Sequence, residues 1–308
     1  MTKRFIIAID LGGTNLKCAL LGPRLDIKAR STFDTKSFDS PAKLIQGIAG
    51  AVTCFIKSQK IKPAQILGIG IGVPGPVDTF KGIVHFLPNI PGWSQVKLKE
   101  LLERKTSIKV AVDNDAKLMA LAEHSAGAAK RYANAICLTL GTGVGGGLII
   151  NHQLYRGPDN AAGEAGHLPL NPNGPRCGCG ARGCLETFVG NAHILRTARH
   201  LFGAQITLEK ISALAAKHNR RARVFWQQVG EDLGLALSGV VNLLNLEVIV
   251  LGGGIAQAGP VLFESVRKTI LSRAMAVQAR RVKVLKAKLG VDAGVIGAGY
   301  LVKERQGR

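Results

Sequence analysis

Hydrophobic positions along the chain switch between two periods, and each switch marks an element. Apolar runs from Arg4 to Asp10 and from Leu16 to Leu21 flank a glycine turn at Leu11 to Asn15, which predicts a strand, turn, strand hairpin. The pattern returns with strands at Ala135 to Leu140 and Val144 to Ile150 around a turn at Gly141 to Gly143, so a duplicated fold is expected. Further strands are predicted at Ile66 to Val73, Lys109 to Val112 and Glu247 to Leu251. Helical spacing marks Pro41 to Ser58, Ala116 to Ala128, Ala192 to Phe202, Leu208 to His218, Ala222 to Leu244, Pro260 to Ser272 and Ala293 to Lys303. Strands alternating with helices in this way predict α/β layers. At 308 residues the chain can hold two cores, and no long Pro- or Ser-rich linker divides it, so two domains sharing a hinge are expected.

Composition narrows the class. A hydrophobic content of 46% and a mean hydropathy of +0.17 describe a globular protein, and 38 glycines supply turns and close backbone approaches. The run Phe5 to Ile9 is cut by Asp10 and is too short for a secretory signal. Ala135 to Ile150 carries five glycines and is too short to cross a bilayer, so no membrane segment is expected. The net charge of +21 concentrates after Ser265, where 11 Lys or Arg residues face Asp292 and Glu304, and at Arg220, Arg221 and Arg223. Such a surface attracts polyanions, yet no aromatic residues interleave to stack bases, so it reads as a solvated basic face without nucleic acid as a partner.

Three of the six cysteines, Cys177, Cys179 and Cys184, fall within eight residues behind His167. One imidazole and three thiolates fill the tetrahedral sphere of Zn²⁺ and leave no open position, which predicts a structural metal. Gly178, Gly180 and Gly183 allow the turns that such convergence needs. Free thiols or a disulfide are the alternatives for this loop. Cys18 and Cys137 lie in strand-like runs and Cys54 in a helix-like one, where a thiol serves as a small hydrophobe. This usage fits a reducing cytoplasm.

The glycine turns carry the candidate chemistry. In the first, Asp10, Gly12, Gly13, Thr14 and Asn15 combine backbone N–H groups, a hydroxyl and an acid that can hold a water of Mg²⁺. A plain hairpin turn would look the same. The second turn, with Gly141, Thr142, Gly143, Gly145 and Gly146, strengthens the phosphate reading, because two such turns can grip a triphosphate. No GK[ST] follows, so this is not a Walker A loop. Gly252, Gly253 and Gly254 follow a strand and either admit an adenine or ribose or simply turn the chain. At Asp113, Asn114 and Asp115 a strand gives way to a helix, where α/β sheets bind ligands. A carboxylate there can take the proton of a hydroxyl attacking a γ-phosphoryl group; capping accounts for one of the three residues. Glu164 and Glu186 bracket the metal loop, as carboxylates that recognise a polyhydroxy ligand would, while Gly75 and Asn89, in rigid Pro and Gly turns, either offer backbone and amide to a sugar or simply turn the chain.

The ordered motifs DLGGTN at 10 to 15, GVPGPVD, LPNIPGW, VDNDA, LTLGTGVGGG, GEAGH, CGCGARGCLE and LGGGI together resemble the ROK family of bacterial sugar kinases, its zinc-containing glucokinases above all. The resemblance runs nearly end to end. It implies a two-domain actin/hexokinase-like (ribonuclease H-like) fold with an inserted zinc loop, divided as residues 1–115 plus 293–308 and residues 116–292. It also implies ATP with Mg²⁺, structural Zn²⁺ on His167, Cys177, Cys179 and Cys184, and γ-phosphoryl transfer to the 6-hydroxyl of a hexose, glucose first. By resemblance Asp115 is the base, Gly75, Asn89, Asn114, Asp115, Glu164, His167 and Glu186 hold the sugar, and the glycine turns hold ATP. A homodimer or homotetramer is implied as well. Thr187 to Asn191 and Leu246 depart from the family pattern. N-acetylglucosamine, N-acetylmannosamine, mannose or fructose therefore stay open as substrates, and polyphosphate as donor. The family also contains sugar-responsive repressors with a helix-turn-helix module in front; the hairpin beginning near Arg4 leads us to expect no such module here.

Overall fold

A computed structural model describes residues 4–12, 15–34, 38–87 and 90–306. The chain forms two compact units, one of residues 1–125, 156–162 and 291–308, the other of residues 126–155 and 163–290. The division differs from the expected one at three points, the first being that the last segment of the first unit begins at residue 291 rather than 293. The helix beginning at Asp115 belongs with the first unit up to Ser125, and a seven-residue segment, Arg156–Ala162, joins that unit as well.

The first unit is built on a five-stranded sheet of β1 (Phe5–Leu11), β2 (Asn15–Leu21), β3 (Ile27–Asp34), β4 (Ile66–Val73) and β8 (Val110–Asn114), ordered β3-β2-β1-β4-β8. β1, β2 and β3 pair antiparallel, whereas β4 runs parallel to both β1 and β8. A small sheet of β5 (Val77–Asp78), β6 (Ile83–Phe86) and β7 (Ser94–Val96) accompanies it. Alternation decides what each face buries. Ile7, Ile9 and Leu11 of β1 and Ile69, Ile71 and Val73 of β4 share a core with Leu44, Ile48 and Phe55 of α1 (Pro41–Ser58) and Leu98 and Leu102 of α2 (Leu98–Thr106). Helix α1 starts where expected because Pro41 fits its first turn and Ser40 Oγ accepts from Lys43 N at 3.4 Å.

The opposite face of β4 is bare. Gly68, Gly70 and Gly72 alternate with isoleucines; the C-terminal helix Ala293–Gln306 lies over Gly68 and Gly70, while Gly72 faces Leu118 and Asp115. A Cβ on Gly70 would overlap the Ala298 carbonyl, and one on Gly297 of the same helix would overlap the carbonyl of Leu118 in α3 (Asp115–Ala126).

The second unit repeats the design. Its sheet contains β9 (Ala135–Leu140), β10 (Val144–Ile150), β11 (Gln153–Tyr155), β12 (Val248–Gly252) and β13 (Lys283–Lys286), ordered β11-β10-β9-β12-β13. The first three pair antiparallel, and β12 runs parallel to both β9 and β13. The two sheets thus share one strand order and one set of senses, which realises the duplicated actin/hexokinase-like fold. Around the second sheet lie α4 (Glu186–Val189), α5 (Asn191–Phe202), α6 (Leu208–Ala216), α7 (Arg220–Leu244), α8 (Pro260–Arg273) and α9 (Ala276–Arg281). Trp226, Leu233 and Leu237 of α7 join Leu138, Leu140, Ile249 and Leu251 in its core. Asn219 caps α7 by accepting from Ala222 N at 3.1 Å.

Cys18 and Cys137 are buried, as their strand positions suggest, but Cys54 is exposed: its position on α1 lies outside the apolar stripe. Among the described residues no helix is long and apolar enough to cross a membrane. Replacing Gly70 by Ala should lower the melting temperature markedly, because the added methyl meets backbone that cannot yield; a cost of about 1–3 kcal/mol is expected. Thermal unfolding of Gly70→Ala beside the exposed-site control Gly50→Ala, where a Cβ meets nothing within 4 Å, checks it.

Candidate functional site

In the first unit the candidate residues gather at the carboxyl ends of parallel strands. Asp10, Gly72 and Asp113 stand in one register across β1, β4 and β8, with Asn114 and Asp115 just beyond. The three polar residues at this corner do different things. Asp113 is fully buried, and its Oδ2 accepts from Arg156 Nε at 2.8 Å while Oδ1 accepts from Asn114 N at 2.8 Å. Asn114 is the cap of α3: its Oδ1 accepts from Ala116 N and Lys117 N at 3.0 and 3.1 Å. Its Nδ2 donates to the Gly75 carbonyl at 3.2 Å, so Gly75, Asn114 and Asp115 are brought together. Gly75 has φ +89, and a Cβ there would lie 2.7 Å from the Phe86 carbonyl oxygen. Asp115 sits half-buried at the start of α3, its Oδ1 accepting from Ala116 N at 2.8 Å, where backbone N–H groups favour negative charge.

Asp10 closes β1 beneath the C-terminal helix, where a Cβ on Gly294 would lie 2.5 Å from its Cγ. Burial pushes the Asp10 carboxyl above the usual carboxylate range, while Lys17 at 3.8 Å pulls it back. The turn beyond it is closed by Gly12 N donating to the Asn15 carbonyl at 2.8 Å. Gly13 and Thr14, like Asn89, lie outside the described residues. Trp93 of the LPNIPGW motif is a core anchor, its Nε1 donating to Val84 O at 3.1 Å.

In the second unit, two glycine runs lie side by side at the carboxyl ends of β9 and β12. Gly252 pairs with Thr139, and Gly253, at φ +86, approaches β9 so closely that a Cβ would lie 2.8 Å from Leu140 N. Gly254 leads into the short 3₁₀ turn Ile255–Ala258. The turn Gly141–Thr142–Gly143 is held from one side: Asn191 N donates to the Gly141 carbonyl at 2.9 Å, and Glu186 Oε2 accepts from Val144 N at 2.9 Å. Backbone N–H groups in such turns suit an anion. Gly145 and Gly146 stand elsewhere, inside β10 opposite Thr139 and Leu138. The missing side chain of Gly146 admits the Gly163 carbonyl and Ala165, and that of Gly166 admits the Val144 carbonyl. These glycines seat the Gly163 to His167 segment on the sheet. Glu164 and His167 are exposed there, and Glu186 is half-buried.

The metal-binding set converges as the spacing predicts. The ligand atoms of His167, Cys177, Cys179 and Cys184 all lie within 4.8 Å of one another. His167 Nδ1 is 3.6 Å from Cys177 Sγ, and Cys179 Sγ is 3.7 Å from Cys184 Sγ. A tetrahedron with Zn–S near 2.3 Å and Zn–N near 2.0 Å has edges of about 3.8 and 3.6 Å, so the donors fit zinc in spacing and in kind. The loop forms by a short hairpin in which Cys177 N donates to the Ala181 carbonyl at 2.8 Å and Gly180 adopts φ +94. Burial, with the neighbouring Cys179 and Cys177, pushes the Cys184 thiol up to about 12.

Sequence comparison places this architecture. The ROK family profile matches residues 6–305. The chain belongs to the ROK family. The glucokinase of Thermotoga maritima is 33% identical over 321 residues, covering all of both chains. The xylose repressor of Caldicellulosiruptor bescii, also similar, is 30% identical over 96% of this chain and 77% of its own. Among solved structures, the ROK glucokinase of Streptomyces griseus in complex with glucose and AMPPNP superposes with a TM-score of 0.81 at 28% identity, over 97% of this chain and 99% of that one.

Within this ROK chain, sequence reasoning missed Arg156, Lys117 and Asn160, which surround the Asp113 to Asp115 corner. Arg156 looks like a surface loop cation, and its partner is 43 residues away. Two outcomes test the site. Cys179→Ser should reduce zinc from one per chain to well below one by metal analysis and lower the melting temperature by roughly 5–10 °C; unchanged melting of metal-free parent protein would contradict the metal reading. Asp10→Asn should raise thermal stability near neutral pH, because it removes a buried charge. Since the folded-state pKa is raised, that penalty exists above it and disappears as pH falls through it towards the ordinary value near ~3.9, so the gain should vanish in acid. Melting curves of the two proteins across pH check the sign.

Proposed function

We propose that this protein transfers the γ-phosphoryl group of ATP to a hexose, with the 6-hydroxyl of glucose as the first candidate acceptor. The observation that carries the reading is the division of roles at Asp113–Asn114–Asp115. One carboxylate is spent on a buried ion pair and the amide caps a helix, which leaves Asp115 as the carboxylate suited to act as base. The glucokinase relative matched end to end supports the same reaction.

In this reading Asp115 accepts the proton of the sugar hydroxyl as its oxygen attacks the γ-phosphorus. The new O–P bond forms while the bond from the γ-phosphorus to the β–γ bridging oxygen breaks, and ADP leaves. Gly75, Asn89, Asn114, Glu164, His167 and Glu186 hold the sugar. With Nδ1 turned to the thiols, His167 keeps Nε2 for a hydroxyl, and Glu186 keeps Oε1 while Oε2 braces the second turn. The turns at Gly12 to Asn15 and Gly141 to Gly143, with Gly252 to Gly254, hold the nucleotide. Mg²⁺ carried by ATP supplies charge neutralisation, and Asp10 is the carboxylate placed to hold one of its waters. The metal loop fixes the sugar-binding arms and takes no part in the chemistry. The same reading puts the protein in the cytoplasm as a homodimer or homotetramer, for which exposed Leu235, Leu243 and Val277 of the second unit supply apolar surface.

A sugar-responsive repressor is the second reading, favoured by the xylose repressor relative. The kinase reading is preferred because the Asp113–Asn114–Asp115 corner supplies a carboxylate suited to act as base. Turnover assays with ATP and polyphosphate against glucose, mannose, fructose, N-acetylglucosamine and N-acetylmannosamine, with the product position determined, should give the highest kcat/KM for ATP and glucose. A salt-sensitive shift of a DNA probe without turnover would favour the repressor. Asp115→Asn should lower kcat by about 10²–10⁴-fold while sugar binding by calorimetry persists. Near-normal turnover would remove Asp115 from the mechanism.

A further inference from the structure

We propose that Arg156 is a positioning residue for Asp115, acting through Asp113, and that Arg156–Ala162 is a strap that sets the geometry of the reacting corner. The proposal rests on Asp115 being the base.

Buried polar side chains are costly unless they are paired, so where they concentrate a reason is needed. Among the described residues seven polar or charged side chains are buried, and four of them, Thr79, Asp113, Lys117 and Asn160, belong to one network around this strap. Arg156 Nε donates to Asp113 Oδ2 at 2.8 Å, and its Nη2 reaches Glu304 Oε2 of the C-terminal helix at 3.4 Å. Thr79 Oγ1 donates to Asn160 Oδ1 at 2.8 Å, and Lys117 Nζ donates to the Asn160 carbonyl. The strap is also closed on itself, with Ala162 N donating to the Arg156 carbonyl at 2.9 Å. Every one of these groups lies in the first unit.

The network grips Asp115 from both sides in sequence. Asp113 uses one carboxylate oxygen on Arg156 and the other on Asn114 N, so its orientation is tied to the peptide leading into Asp115. Lys117, two residues beyond Asp115, is tied to the strap's other end. Burial alone would lower the Arg156 pKa, but Asp113 and Glu304 outweigh it and hold the guanidinium above its ordinary value.

A merely structural ion pair and a positioning pair predict different outcomes when both charges are removed. Removing one partner leaves a buried charge unpaired, whereas replacing both relieves the penalty. Asp113→Asn and Arg156→Gln alone should each lower the melting temperature by several degrees and reduce kcat. The double variant should recover the melting temperature to within about 3 °C of the parent, yet keep kcat roughly 10–100-fold low with KM for ATP unchanged, as expected for a misplaced base. Parent-level kcat in the double variant would overturn the proposal. Arg156→Lys carries the same test should the double variant fail to fold: it keeps the charge, loses the planar fork, and should lower kcat about tenfold at little cost in melting temperature. Parent-level kcat there is again fatal. Asp115→Asn run beside them separates the two claims. If it is inactive while the double variant is fully active, only the positioning role falls; if it retains turnover, the base assignment falls and the proposal with it.

Discussion

Close approach of backbone to backbone, at positions where a side chain is missing, is the constraint on which both units depend. On β4 the glycines at 68 and 70 leave a track for the C-terminal helix, whose Ala298 carbonyl occupies the space of a side chain, and Gly72 makes room for Leu118 and Asp115. That helix reaches α3 through Gly297 and Leu118, and Asp115 is the first residue of α3. On β10 the bare surface of Gly146 plays the corresponding part, receiving the Gly163 carbonyl and Ala165. Hydrophobic burial supplies the driving force in each sheet, but these contacts decide how near the functional segments lie, because a methyl group there meets atoms that cannot yield.

The metal loop extends the same logic to a segment with little core of its own. Cys184 is buried and Glu186 follows two residues later, at the start of α4. The carboxylate of Glu186 holds Val144 N, and Asn191 N, at the start of α5, holds the Gly141 carbonyl. The loop on which the four metal-type donors converge therefore leads straight into a short helix, and that helix braces a glycine turn on the neighbouring hairpin.

Periodicity revealed the elements that bury a full face. Strands β4, β9 and β10 and helix α1 occupy the predicted residues, and β1, β2 and β12 lie within a residue of prediction, because their apolar runs are continuous. The edge strand β3 was invisible: its sequence IKARSTFD is mostly exposed, and its pairing is specified by β2 rather than by its own hydrophobicity. Strand β13, reading KVLK, and the short β5, β6, β7 and β11 escaped for similar reasons, as did the polar helix α2. The run ending at Val112 continues to Asn114 because an ion pair lets Asp113 be buried in the strand. Among the candidate residues, the convergence of His167, Cys177, Cys179 and Cys184 was legible since three of the four are close in sequence. The glycines were legible as glycines only; sequence does not separate Gly141, in a turn, from Gly146, which makes room for another segment. Arg156 was hidden because nothing local distinguishes a cation that will be buried against a distant acid.

The order in which the chain enters its two units has a consequence for how the protein is made. The second unit is complete once residue 290 has been synthesised, whereas the first, begun at the N-terminus, still lacks residues 291–308. Until those residues emerge, the glycine face of β4 has no cover and Asp10 has no helix above it. At translation speeds of roughly 5–20 residues per second, the last segment follows within a few seconds of the second unit. The unit that starts first is thus finished last, and the carboxylate corner at Asp115 acquires its final surroundings only after the whole second unit has been made.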